Sequence, residues 1–171
     1  DDITLFGVLG DVKTLDIDQV KVFSGVASVT RISSPFKLAS KAFKQDRTVI
    51  TLKNGISIGD DSFVVMSGPC SVESEDQLRT IAKAVYDSGS RVLRGGVFKP
   101  RTSPYAFQGL GLDGLKMMRK IADEFNMAVV TELMGTEHLD EFVKYADIIQ
   151  IGARNMQNFD LLKAIGKTKT P

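Results

Sequence analysis

The chain has 171 residues, 43% of them hydrophobic and 25% charged, with a formal net charge of +1. That length allows one ordinary core, or a small domain plus part of a larger one, and the near-neutral charge excludes a global basic field for nucleic acid. A single cysteine, Cys70, excludes an internal disulfide and fits a reducing cytoplasm, and no apolar run approaches the roughly 20 residues of a membrane span.

Residues 3–9 (ITLFGVL) read as a strand. Residues 14–26 (TLDIDQVKVFSGV) read as a short amphipathic helix, with Leu15 or Ile17, Val20 and Phe23 on one face and Asp16 or Asp18 as its cap. Residues 27–33 (ASVTRIS) alternate as a second strand. This β-α-β piece, residues 1–33, is expected to be half of a ferredoxin-like α+β domain, with too few strands to be stable alone. Residues 34–46, rich in lysine, are expected to be a linker. The start at Asp1 and the end at Pro171 lead us to expect a piece of a longer protein.

Residues 47–58 (RTVITLKNGISI) predict a β-hairpin turning at Asn54-Gly55. From residue 63 the rhythm changes. FVVMSGPC, RVLRGG, MAVVTEL and DIIQIGA are apolar strands, each followed by a helical pattern. Strands apolar on both faces belong in a parallel sheet covered by helices. All four end in polar or glycine-rich residues: Gly68-Pro69-Cys70, Arg94-Gly95-Gly96, Thr131-Glu132 and Gly152-Ala153-Arg154. In a doubly wound sheet only the strands at the switch point need such ends, whereas in a (β/α)8 barrel every strand end opens on one mouth. The expected fold is therefore α/β, the first half of a (β/α)8 barrel over residues 47–171, since a whole barrel takes about 250 residues.

One loop concentrates charge. LRGGVFKPRTSP, with Arg91 before it, brings four cations, two glycines and two prolines together. Gly95 and Gly96 let backbone approach a ligand, and Pro100 and Pro104 stiffen the loop. Lys99 is a point charge, Arg101 a planar fork suited to phosphate or carboxylate, and Thr102 and Ser103 add hydroxyls. Arg154 adds a cation two strands along. These cations at one mouth predict small substrates with several negative groups. Glu132 ends a buried strand and needs a cationic partner or a ligand. By local evidence Cys70 reads as a small apolar residue. His138 reads as a surface residue, Gln150 as an orienting one, and Phe107, Phe125, Phe142, Tyr145 and Phe159 as helix-to-strand packing.

The segments GPCSVES, LRGG-x-FKPRTSPYAFQGLG, VVTE and DIIQIGARNMQNF resemble the 3-deoxy-D-arabino-heptulosonate 7-phosphate synthase family, of the type related to 3-deoxy-D-manno-octulosonate 8-phosphate synthase. The resemblance covers residues 47–171; residues 1–33 are similar to the ACT-like regulatory domain of some members. It implies condensation of phosphoenolpyruvate with erythrose 4-phosphate, the first step towards the aromatic amino acids, with a divalent metal ion (manganese or similar). It implies Cys70 as metal ligand, and Arg94, Lys99 and Arg154 at phosphoenolpyruvate, with Lys99 beside the reacting carbons. Pro100, Arg101, Thr102 and Ser103 would hold erythrose 4-phosphate; Glu132 and Ala153 would border the phosphoenolpyruvate site. It further implies a cytoplasmic homo-oligomer, dimer or tetramer, and an aromatic amino acid effector. The remaining ligands of the family's metal belong to later strands, so these 171 residues alone are expected not to catalyse. The alternatives are the octulosonate enzyme, against which Lys99-Pro100-Arg101-Thr102 argues, and a non-catalytic module that binds an aromatic amino acid.

Overall fold

The computed structural model describes residues 4–8, 10–31, 36, 39–41 and 43–171. The chain divides into two units, Asp1–Arg47 and Thr48–Pro171.

In the first unit the expected helix forms as α1 (Ile17–Lys21), with the Asp16 side chain accepting from the Asp18 N–H and Lys21 paired to Asp18. The strands expected over 3–9 and 27–33 do not appear: described residues 4–8 and 27–31 carry none, and residues 3, 9, 32 and 33 lie outside the described residues. A strand needs a ladder partner and a face to bury. No described residue of this unit is buried, and Phe6 and Val22 are more than four-fifths exposed. Only the helix of the expected ferredoxin-like half is present among the described residues. Of residues 34–46, those at 34, 35, 37, 38 and 42 lie outside the described ones, and the rest form no strand.

The second unit opens with a hairpin, β1 (Ile50–Thr51) and β2 (Ser57–Ile58), antiparallel with Ile50 opposite Ile58. Gly55 takes a left-handed φ of 85° in its turn. The Asn54 amide does two jobs. Its oxygen accepts from the Ile56 N–H, and its nitrogen donates to the carbonyls of Arg91 and Asn126, which fastens the turn to the segments that lead into two later strands.

Then strand and helix alternate: β3 (Met66–Ser67), α2 (Glu75–Asp87), β4 (Val92–Arg94), α3 (Gly111–Glu124), β5 (Ala128–Glu132), α4 (Leu139–Tyr145), β6 (Ile148–Gln150) and α5 (Phe159–Gly166). The strands are parallel and lie in chain order, β3-β4-β5-β6. Every crossover thus steps the same way, and right-handed crossovers then put the helices on one face. On that face Leu93, Val129 and Ile149 pack with Leu78, Leu115 and Phe142. On the other face Val92, Ala128 and Val130 meet Leu52, with Ile50, Ile56 and Ile58 of the hairpin packed around them. The hairpin thereby covers the amino-terminal part of the inner face and leaves its carboxyl end for other residues.

Helix α2 starts with a reciprocal cap: Ser74 accepts from the Gln77 N–H, and the Gln77 side chain accepts from the Glu73 N–H. Asp147, just before β6, accepts from the Arg119 guanidinium at 2.6 Å and from the Val129 N–H at 2.8 Å, while Arg119 also donates to the Met127 carbonyl. This half-buried pair ties α3 to the starts of β5 and β6. No helix among the described residues is long and apolar enough to cross a membrane.

Candidate active site at the carboxyl ends of the strands

The register fixes which side chains share the inner face. Arg94 pairs with Val130, and Glu132 pairs with Gln150. Since side chains alternate along a strand, Arg94, Glu132 and Gln150 all stand on the inner face, at its carboxyl end. Beyond β3 the chain comes against β4 at Gly68 (φ 155°), where a side-chain carbon would collide with the Arg94 carbonyl. That close approach delivers Pro69 and Cys70 to Arg94. One guanidinium nitrogen of Arg94 donates to the Pro69 carbonyl at 3.0 Å and to that of Cys70 at 3.4 Å.

Lys99 arrives at the same point from the loop after β4. Its ammonium donates to the Cys70 carbonyl at 2.5 Å and lies 3.6 Å from Sγ. Gly96 makes the room, since a β-carbon there would lie 2.6 Å from the Lys99 Nζ and 2.8 Å from the Cys70 oxygen. The Lys99 ammonium, by its charge and then its hydrogen bond, holds the exposed Cys70 thiol below its ordinary pKa; some desolvation opposes this and Arg94 adds to it. Cys70 is thus an exposed thiol beside two cations rather than the packed apolar residue that its local sequence suggests.

The rest of the basic loop is braced from within. The Lys99 N–H donates to the Gln108 carbonyl at 2.8 Å, and the Gln108 amide donates to the carbonyls of Ser103 and Ala106. The Ser103 hydroxyl accepts from the Tyr105 N–H and so shapes the turn. Pro100 is half-buried; Arg101, Thr102 and Ser103 are exposed. Glu132 is half-buried against Gly152, where any side chain would strike its carboxylate. Among the described residues no cation pairs with that carboxylate. After β6 a 3-10 turn (Ala153–Asn155) exposes Ala153 and Arg154. The Asn155 amide donates to the Met134 carbonyl and joins this turn to the segment after β5. Its role is not apparent from the sequence.

Other residues depart from their sequence readings. His138 is half-buried, and its ring stacks on Phe98 at 5.0 Å between centroids and 13° between planes. Phe142 packs helix on strand as expected, but Phe107 and Phe159 are largely exposed. A polar cleft of about 290 Å³ opens at the opposite, amino-terminal end of the strands, lined in part by Asn54, Arg119 and Asp147. Its guanidinium is already neutralised by Asp123 and Asp147. Among the described residues no group of three or more His, Cys, Asp or Glu side chains is placed to hold a metal.

Residues 47–171 match the family model described as "DAHP synthetase I family". The chain belongs to that family. Over 168 residues it is 46% identical to the phospho-2-dehydro-3-deoxyheptonate aldolase of Thermotoga maritima, an alignment that takes in 98% of this chain and 49% of the relative. It is 34% identical to the 2-dehydro-3-deoxyphosphooctonate aldolase of Rickettsia typhi over 67% of this chain and 45% of that protein. The crystal structure of the Thermotoga enzyme superposes with a TM-score of 0.74 at 47% identity, covering 91% of this chain and 46% of that one. A truncated form of the 3-deoxy-D-arabino-heptulosonate 7-phosphate synthase from Thermotoga maritima gives 0.68 at 45% identity, covering 77% of this chain and 47% of that one. The chain thus spans about half the length of the curated relatives it matches.

Proposed function

We propose that this chain carries the phosphoenolpyruvate-binding part of a 3-deoxy-D-arabino-heptulosonate 7-phosphate synthase, which condenses phosphoenolpyruvate with erythrose 4-phosphate and releases phosphate. The observation that carries this reading is the convergence of Arg94 and Lys99 on the carbonyl of Cys70, beside a braced loop that displays Arg101. Arg94, Lys99 and Arg154 take the phosphate and carboxylate of phosphoenolpyruvate, with the Ala153 backbone and Glu132 at its border. Pro100, Arg101, Thr102 and Ser103 form the seat of erythrose 4-phosphate, with Arg101 and Thr102 at its phosphate. The methylene carbon of phosphoenolpyruvate bonds to the aldehyde carbon, and the aldehyde oxygen takes a proton. The oxygen of a water adds to the other enol carbon, and the bond to the phosphate group breaks. The cations hold two anions in contact and offset their repulsion, which supplies orientation and charge stabilisation together.

In this reading the four sequential strands are the first half of a (β/α)8 barrel, with the hairpin across its floor. The family resemblance brings a divalent metal with it, and a metal site of this kind takes about four ligands. Cys70 offers one sulfur, and the described residues offer no cluster to complete the set. They do not by themselves fit a metal. A homo-oligomer and an aromatic amino acid effector belong to the same reading; the exposed Leu5, Phe6 and Phe23 support apolar contacts in the first unit.

The test is phosphoenolpyruvate consumption by the full-length protein and by this chain alone. We expect the former to consume it one-for-one with erythrose 4-phosphate and release phosphate, and the latter to bind without turnover. Turnover with arabinose 5-phosphate in place of erythrose 4-phosphate would replace this reading with the octulosonate one.

A further inference from the structure

Three rings form a column from the core to the mouth. Phe142 of α4 is fully buried, Phe98 stacks on it at 6.2 Å and 26°, and His138 stacks on the Phe98 ring at 5.0 Å and 13°. Phe98 is the residue before Lys99. The Lys99 backbone is therefore set on one side by a stacked ring and on the other by its hydrogen bond to the Gln108 carbonyl. His138 comes from a different place, the end of a 3-10 turn (Thr136–His138) in the segment after β5. Its side chain makes no hydrogen bond or ion pair with any described residue, so the stack on Phe98 is the contact that defines it.

We propose that His138 is a positioning residue: by stacking on Phe98 it clasps the segment after β5 to the basic loop and holds Lys99 in its anion-binding place, with no proton chemistry of its own. The proposal rests on the reading of Lys99 as a phosphoenolpyruvate contact. An aromatic pair of this kind fixes orientation as well as burying area. Small displacements of a positioning charge are costly to a reaction that depends on alignment. The planar ring is the feature required, so another aromatic ring is expected to serve and a branched aliphatic of similar bulk is not.

The experiment uses the full-length protein with His138→Leu and His138→Phe. Two readouts are taken: KM for phosphoenolpyruvate against kcat, and the rate of tryptic cleavage at Arg101–Thr102, because Lys99 is followed by proline and resists trypsin. We expect His138→Leu to raise KM for phosphoenolpyruvate about 2- to 12-fold, the equivalent of one aromatic pair, and to speed the cleavage. His138→Phe should restore both. A loss of folded protein lowers kcat and leaves KM alone, so the split separates positioning from stability. Wild-type values in His138→Leu would overturn the proposal, as would His138→Phe impaired as badly as His138→Leu. If the wild type does not consume phosphoenolpyruvate with erythrose 4-phosphate, the functional reading fails, and the relative cleavage rates alone decide whether His138 positions the loop. If His138→Leu does not fold, the His138→Phe values decide: wild-type KM and cleavage support the stack, and a raised KM overturns it.

Discussion

The ammonium of Lys99 donates to the Cys70 carbonyl at 2.5 Å and stands 3.6 Å from the same residue's sulfur. One cation therefore serves two groups of a residue 29 positions away. Its charge is the largest cause of the lowered thiol pKa. Lys99→Met should raise the Cys70 pKa towards its ordinary value and slow alkylation by iodoacetamide at neutral pH. Because Cys70 is the sole cysteine, the alkylation rate against pH reports it directly. An unchanged rate profile would show that the ammonium does not govern the thiol.

Two glycines mark where the mouth has no spare volume. A β-carbon at Gly96 would lie 2.6 Å from the Lys99 Nζ, and one at Gly152 would strike the Glu132 carboxylate. Gly96→Ala and Gly152→Ala should each cost about 1–3 kcal/mol of stability if the neighbours hold their places. If the side chains yield instead, stability is kept and the proposed phosphoenolpyruvate binding weakens. Urea melts read alongside titration calorimetry with phosphoenolpyruvate distinguish the two. Wild-type stability with wild-type binding in either variant would contradict this packing.

The β-α alternation after residue 63 is legible in the sequence because its signals are local. Each strand is a short apolar run that ends in a charged or glycine residue, and a helical pattern follows each one. The hairpin is legible at Asn54-Gly55 for the same reason. Alternation over 3–9 and 27–33 is a weaker signal, because a strand exists only with a partner, and described residues 4–8 and 27–31 have none. Contacts between distant segments leave no local trace. The His138 ring on Phe98 joins residues 40 apart, and Asn155 reaches back 21 residues to Met134. A histidine on the first turn of a helical pattern reads as solvated until the neighbouring loop is in place beside it.

Acid should loosen the packing of α2 on α3. Glu75 accepts from Lys120 at 2.8 Å and from Arg79 at 2.6 Å, and Arg79 also holds Glu124. Lys120, then Arg79, pull the Glu75 carboxyl down to about 2. An unfolded glutamate titrates near about 4.3. A carboxyl depressed on folding contributes stability above its unfolded pKa and loses it as pH falls through the folded one. The wild type should therefore exceed Glu75→Gln in melting temperature at neutral pH, and the gap should close between about pH 4.5 and pH 2. Salt should narrow it too, since these groups are partly exposed. A gap independent of pH would remove the ion pairs from the account.

Asp147 presents a sharper case, because its partners are covered. Its carboxylate takes both the Arg119 guanidinium and the Val129 N–H, with only 9% of the side chain accessible and 19% of its partner's. Truncation to alanine would leave the half-buried Arg119 with only the exposed Asp123 as its ion partner and a strand N–H unpaired beside it, at the point where α3, β5 and β6 meet. Losing a hydrogen-bonded charge partner of this kind costs about 1.5–3 kcal/mol. Asp147→Asn keeps an acceptor for Val129 and removes only the charge, so it should lose less than Asp147→Ala. Truncating both partners, Asp147→Ala with Arg119→Met, should recover part of the loss, because the guanidinium that has lost its covered partner is removed with it. Urea unfolding of these variants together with Arg119→Met alone gives the coupling directly. A double variant no better than Asp147→Ala would mean that the backbone bond to Val129, rather than the ion pair, is what Asp147 contributes.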